Sequence, residues 1–180
     1  MKPGESPSDY FRKEVNHICK EEKEEFIKHY FSKYQHPTYP PSWMIMECLS
    51  FGTCLNLFRY LAKINDKSII SKTFGYHPKV VESCLVALRY TRNICAHHAR
   101  LWNRWFVVIP KDVKAFSAIP TKSRSLHQQI IIIHHLNKII SPNSLWKNNL
   151  FSLFNRNKEN VPFHLMGFQK DWQNDPFWKL

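Results

Sequence analysis

Between Arg89 and Arg104 the chain places four arginines, two histidines and two asparagines within sixteen residues, Arg89-Tyr-Thr-Arg92-Asn93-Ile-Cys-Ala-His97-His98-Ala-Arg100-Leu-Trp-Asn103-Arg104. Arginine offers phosphate a rigid fork of N–H donors. Histidine exchanges protons near neutral pH. The stretch holds no carboxylate with which to bind magnesium. Arginine and histidine on one surface are the groups that metal-independent cleavage of a phosphodiester requires.

The spacing supports a shared surface. On a helix turning about 100° per residue, Arg89, Arg92, Asn93, His97, Arg100, Asn103 and Arg104 fall within an arc of roughly 140°. Ala96 alone joins them there, and His98 points nearly opposite Arg89. The apolar run Val80 to Leu88 leads into this stretch. One long helix is therefore expected, with an apolar back and a cationic face.

The chain has 180 residues, 43% of them hydrophobic and 14% aromatic, enough for one domain with a real core. Only 4 glycines occur, and no glycine-rich phosphate or dinucleotide loop is present. Lys and Arg number 26 against 14 Asp and Glu, a formal charge of +12. That excess points to an anionic partner, nucleic acid before a membrane surface. The five cysteines are odd in number and irregularly spaced, which argues for free thiols in a reducing cytoplasm rather than a disulfide framework. Cys95 and His97 stand two apart, a weak zinc hint, and no metal site is expected. The start, MKPGESPSDYF, has no apolar signal core, and apolar runs such as Ile130 to Ile133 are far too short to cross a bilayer. No membrane association is expected.

The elements that would carry the motif follow from periodicity and breakers. Residues 1–15, with Pro3, Gly4, Ser6, Pro7 and Ser8, read as a flexible arm, and residues 16–180 as one domain. A first helix is expected over 18–34. After the Pro37 and Pro40–Pro41 break, Ser42 is the expected N-cap of a central helix over 43–64. Asp66 is the expected cap of a third helix stopping at Gly75, and Pro78 starts the fourth, which carries the motif. Trp105 to Ile109 is a short strand or an extended segment, and 111–122 a loop. Further helices are expected over 123–140 and 145–155. Phe163, Met166, Phe168, Trp172, Phe177 and Trp178 of an irregular tail are expected to pack back. The fold class is all-α, a helical bundle.

Arg92-Asn93-Ile-Cys-Ala-His97 fits the R-x4-H signature of HEPN domains, and the longer string RNICAHHARLWNR resembles the Abi-like, AbiD/AbiF-type family of phage abortive-infection proteins. Trp43-Met-Ile-Met-Glu47 with Ser50-Phe51-Gly52, Glu25 to Tyr30, and Met166-Gly167-Phe168 with Trp172 and Trp178 resemble flanking parts of that family, so the resemblance spans roughly residues 20–180. Family members are typically longer at the N-terminus, and the chain is expected to be the C-terminal portion of such a member.

The resemblance implies a HEPN-like bundle and a metal-independent endoribonuclease, with no cofactor, acting as a toxin in abortive infection. Arg92 would hold the scissile phosphate. His97 would serve as general acid or base on the ribose 2′-hydroxyl or the leaving oxygen. Two such motifs usually form one cleft, so a homodimer or a second HEPN unit is implied. The RNA would be a cellular or phage transcript, or a small non-coding RNA such as those associated with some family members. Asn93 would orient His97 or bind the RNA backbone. Arg89, Arg100, Asn103 and Arg104 would contact phosphates, the last three otherwise complementing a helix end. His98 is weighed as a backbone cap against a catalytic role, and Glu47 as a structural partner of Arg92. Trp102 and Trp105 are expected in the core rather than stacked on bases. The competing reading is a non-catalytic RNA-binding or protein-interaction module. A weaker one is an inhibitory partner of another toxin.

Overall fold

The computed structural model describes residues 6–21, 23–61, 63–111 and 124–178. Among these residues there are eight α-helices and no strand, the all-α class that the periodicity indicated. The chain divides into two compact units, Met1–Asp66 and Lys67–Leu180.

The first unit contains α1 (Pro7–Glu21), α2 (Glu25–Lys33), α3 (Ser42–Cys48) and α4 (Phe51–Tyr60). The arm expected over residues 1–15 is helical from Pro7 onward. Ser6 Oγ accepts the Asp9 N–H at 3.1 Å, and Pro7 is the first helical residue. Serine followed by proline is here a helix start, because the first-turn N–H groups need an acceptor and proline has no N–H to leave unpaired. Residues 1–5 lie outside the described residues.

The helix expected over 18–34 is two helices. Residues 20–25 are all Lys or Glu, so no apolar side chain there holds a continuous stripe to a core. The helix expected over 43–64 is also divided. Ser50 Oγ accepts the Thr53 N–H at 3.0 Å and starts α4 afresh. Pro41 occupies the N-cap of α3, and Ser42 is its first helical residue. Ile27, Tyr30 and Met44 form a small core with Phe31 and Cys48 against it. α1 packs on α3 and α4, with Thr53 Oγ1 donating to Glu14 Oε2 at 3.3 Å.

The second unit holds α6 (Pro78–Ala96), α7 (Leu126–Ile140) and α8 (Trp146–Asn157), with the unit boundary falling inside α5 (Ile64–Lys72). Asp66 lies in the first turn of α5 instead of capping it. Gly75 takes a φ of +74°, the left-handed geometry that glycine adopts without a Cβ clash, in the turn between α5 and α6. Pro78 opens α6 as expected, and the His77 ring accepts the Lys79 N–H at 3.2 Å.

α7 is the central helix. Ile130, Ile131, Ile132 and Leu136 are buried, and so are His127, Gln128, Gln129 and His134. α6 and α8 pack against it. The tail closes the core as expected. Met166, Phe168, Trp172 and Trp178 are buried, with Phe163 and Phe177 packed beside them. Gly167, at φ +88°, makes the turn between Met166 and Phe168. Three short 3₁₀ turns, Phe163–Met166, Trp172–Asn174 and Pro176–Trp178, carry all of these side chains except Phe168.

Trp105 to Ile109 forms no strand and bends at Val107 and Val108. It doubles back along α6. Phe106, fully buried, meets Tyr90 edge-on at 6.2 Å, and the Lys111 N–H donates to Ser83 Oγ at 2.9 Å. The loop expected over 111–122 falls, from residue 112, outside the described residues.

Candidate functional site

α6 owes its position to one stripe and one polar anchor. Val81, Cys84, Ala87, Thr91 and Ile94 are buried at helical spacing. Within that stripe the Thr91 hydroxyl donates to Gln129 Oε1 of α7 at 3.2 Å, and Gln129 Nε2 donates on to Val108 O at 3.3 Å. Both side chains are buried, so their polar atoms need partners, and Gln129 Oε1 finds its donor in Thr91. The last turn of α6 is thereby fixed to α7 and to the returning segment.

The outward face of that turn carries the arginine and histidine. Arg89, Arg92 and His97 are exposed and Asn93 is half-buried. Arg92 Nη1 donates to Asn93 Oδ1 at 3.1 Å. The Asn93 carbonyl accepts the His97 N–H at 3.0 Å. Asn93 thus touches both, the guanidinium through its side chain and the histidine through its backbone.

The helix does not continue through the motif. It ends at Ala96, with His97 as C-cap. The Ala99 N–H donates to Ile94 O and the His98 N–H to Cys95 O, each at 3.0 Å. His98 sits at φ +51°. This is a Schellman termination with a non-glycine residue in the left-handed position. His98 therefore acts as a backbone cap, the structural role weighed for it. Histidine is among the residues that tolerate this geometry best after glycine.

Arg100, Asn103 and Arg104 consequently leave the helical arc on which regular spacing placed them. A tight turn follows, closed by the Arg104 N–H on Leu101 O at 3.3 Å, with Asn103 at φ +48°. Arg104 Nη1 donates to Arg100 O at 3.3 Å, and its buried Nε has no partner. None of the four arginines pairs with a carboxylate of its own unit among the described residues. Glu47 is an exposed residue of α3 in the first unit.

The two tryptophans are not core residues. Trp105 is 64% exposed and Trp102 37% exposed. The Arg124 guanidinium lies 5.5 Å from the Trp105 ring centroid. Arg124 is itself tied down. Its Nη1 donates to Val107 O at 3.0 Å, its carbonyl accepts the Phe106 N–H at 3.0 Å, and its N–H donates to Gln128 Oε1 at 2.8 Å. A flat aromatic with a fixed cation over it is a platform on which a base can stack. Sequence spacing gave no hint of Arg124 or Gln129, because both act through contacts distant along the chain.

Of the cysteines, Cys84 is buried, Cys19, Cys48 and Cys54 are half-buried, and Cys95 is exposed. Among the described residues no three or more His, Cys, Asp or Glu side chains gather as a metal site. No helix among them is long and apolar enough to cross a membrane.

Comparison with known proteins adds one finding. The sequence model of the Abi-like protein family matches residues 2–103, more than half of the chain. The match includes the Arg92–His97 turn, begins ahead of the stretch where the resemblance was first read, and stops short of the aromatic tail. No curated protein and no solved structure matches. The chain belongs to the Abi-like protein family, and that membership points to a role in phage abortive infection.

Proposed function

We propose that this Abi-like protein is a metal-independent endoribonuclease of the HEPN type that acts as a toxin in abortive infection. The observation that carries the reading is the exposed Arg92–Asn93–His97 turn, anchored from behind by Thr91 and Gln129 and lying within the family-matched stretch. Arg92 has one guanidinium nitrogen committed to Asn93, which orients the remaining donors toward an incoming phosphate. His97 takes the proton of the ribose 2′-hydroxyl or supplies one to the departing 5′-oxygen. The products are a 2′,3′-cyclic phosphate and a 5′-hydroxyl. A second motif, from another copy of the chain or another HEPN unit, completes the cleft. The substrate is a cellular or phage transcript, and the site of action is the cytoplasm.

Incubation with labelled RNA in EDTA tests this, wild type beside His97→Ala. Cleavage by the wild type alone, leaving cyclic-phosphate ends, is the expected result. RNA binding without cleavage by either protein overturns it. That outcome supports the second reading, a non-catalytic RNA-binding module, which the exposed Trp105–Arg124 platform favours.

A further inference from the structure

Two consecutive glutamines in the first turns of α7, Gln128 and Gln129, are both buried. Glutamine is ordinarily a surface residue, and a buried carboxamide has to find partners inside the fold. Neighbours on a helix point about 100° apart, so the two side chains reach different parts of the second unit.

Gln129 reaches the Arg92–His97 turn. Its Nε2 donates to Val108 O at 3.3 Å, and a carbonyl only accepts, so Oε1 is the atom left to take the Thr91 hydroxyl at 3.2 Å. Thr91 belongs to the buried stripe of α6 and directly precedes Arg92. Gln128 reaches the platform. Its Oε1 accepts the Arg124 N–H at 2.8 Å, and the Arg124 guanidinium both donates to Val107 O at 3.0 Å and lies 5.5 Å from the Trp105 ring centroid.

The segment after Trp105 is therefore held at three successive residues. Phe106 is buried, Val107 O is held by Arg124, and Val108 O by Gln129. Phe106 also meets Tyr90, two residues before Arg92, edge-on at 6.2 Å. A segment so held cannot slide along α6 without breaking buried contacts. The platform and the catalytic turn are tied to the same end of one helix.

We propose that Gln129, supported by Gln128, is a positioning residue that sets the register of cleavage. It keeps the Trp105 platform and the Arg92–His97 turn at one separation, so the cut falls at a constant offset from the nucleotide whose base stacks on Trp105. The inference rests on the cleavage reading and deepens it. With a loose connection a stacked base would leave several phosphates within reach of His97. With a fixed one it presents a single phosphate.

The test uses the full chain and a short labelled RNA whose cut bond is mapped first. The base is then removed from one nucleotide at a time on either side of that bond, and single-turnover rate constants and amplitudes are measured in EDTA. Removal at one position is expected to slow cleavage about tenfold, with little effect elsewhere. Gln129→Met nearly keeps the volume and removes both hydrogen bonds. It should lower the rate constant roughly tenfold to a hundredfold and spread the cuts of the intact RNA over neighbouring bonds. A merely structural role would lower the amplitude, which follows the folded fraction, and leave the rate constant and cut position unchanged. Thr91→Val should act in the same direction, and Thr91→Ser, which keeps the hydroxyl, should behave as wild type. Wild-type cleavage with no preferred position, or Gln129→Met with the wild-type rate constant and cut position, overturns this proposal and leaves the cleavage reading standing. Absence of cleavage by the wild type overturns both.

Discussion

Thr91 Oγ1 donates to Gln129 Oε1 at 3.2 Å across the α6–α7 contact, immediately beside Arg92 in sequence. Both groups are buried, and Gln129 passes the connection on to Val108 O. Replacing Gln129 with Leu leaves the Val108 carbonyl without its donor and the Thr91 hydroxyl without its α7 acceptor. A stability loss of about 1–3 kcal/mol is expected, with Thr91→Val costing less because Thr91 also reaches Ala87 O at 3.0 Å. Urea unfolding of the two single variants and the double variant gives the coupling. Strict additivity would show that the two residues do not act as a pair.

Arg92 and Asn93 give a sharper prediction for function. If Asn93 aims the guanidinium, Asn93→Ala lowers cleavage about tenfold while leaving the fold intact. Arg92→Lys loses far more, on the order of a hundredfold, because a point charge cannot reproduce the fork. Single-turnover cleavage rates decide this. Equal activity of Arg92→Lys and wild type would mean that the residue supplies only charge.

The left-handed residue at the end of α6 separates capping from chemistry. A non-glycine residue in that conformation costs about 1 kcal/mol, so His98→Gly is expected to raise stability by up to that amount. Cleavage should persist in the same variant. Loss of cleavage with raised stability would assign His98 a chemical role beyond its cap.

How far the sequence could carry these conclusions differs between elements. Pro78, Gly75, the apolar stripe of α6 and the returning aromatic tail were legible, because each follows from a local backbone rule or a hydrophobic period. The Ser50 restart was missed because apolar periodicity alone ran through it. The stop at Ala96 was missed for a related reason. No glycine or proline marks it, and the break depends on His98 adopting a conformation that its residue type only tolerates. That one residue removes Arg100, Asn103 and Arg104 from the helical face. Trp105 was read inward because tryptophan usually is, while Phe106 next to it took the buried place. Arg92 and Asn93 come before the stop and His97 is the C-cap at it, so the stop does not displace these three along the chain.

Trp105 supplies the test of an RNA platform. With 64% of its surface exposed, Trp105→Ala should change stability by no more than about 0.5 kcal/mol. Loss of base stacking should weaken single-stranded RNA binding about tenfold. Fluorescence anisotropy with a short labelled RNA measures this directly. Unchanged affinity would remove Trp105 and Arg124 from the interface.

The buried histidines of α7 make stability depend on pH in a defined direction. Burial pushes His127 down to about 4 from 6.5, against the opposing pull of its hydrogen bond to Gly167 O and of Asp175. Burial also pushes His134 down to about 4, with Lys138, Lys147 and His135 adding to the shift. His135 is lowered by burial and by Lys138. In the unfolded chain these imidazoles take up protons as pH falls through about 6.5, whereas His127 and His134 in the folded state resist until about 4. The unfolded state thus binds more protons across that window. Stability is full well above pH 6.5 and falls as pH drops toward 4, by roughly 1.5 kcal/mol for each of His127 and His134 between pH 6.5 and 5. His127→Gln keeps a donor for Gly167 O but cannot titrate, so it should flatten the curve. Urea midpoints at several pH values measure the slope. An identical slope in wild type and in the His127→Gln, His134→Phe double variant would place the acid sensitivity elsewhere in the fold.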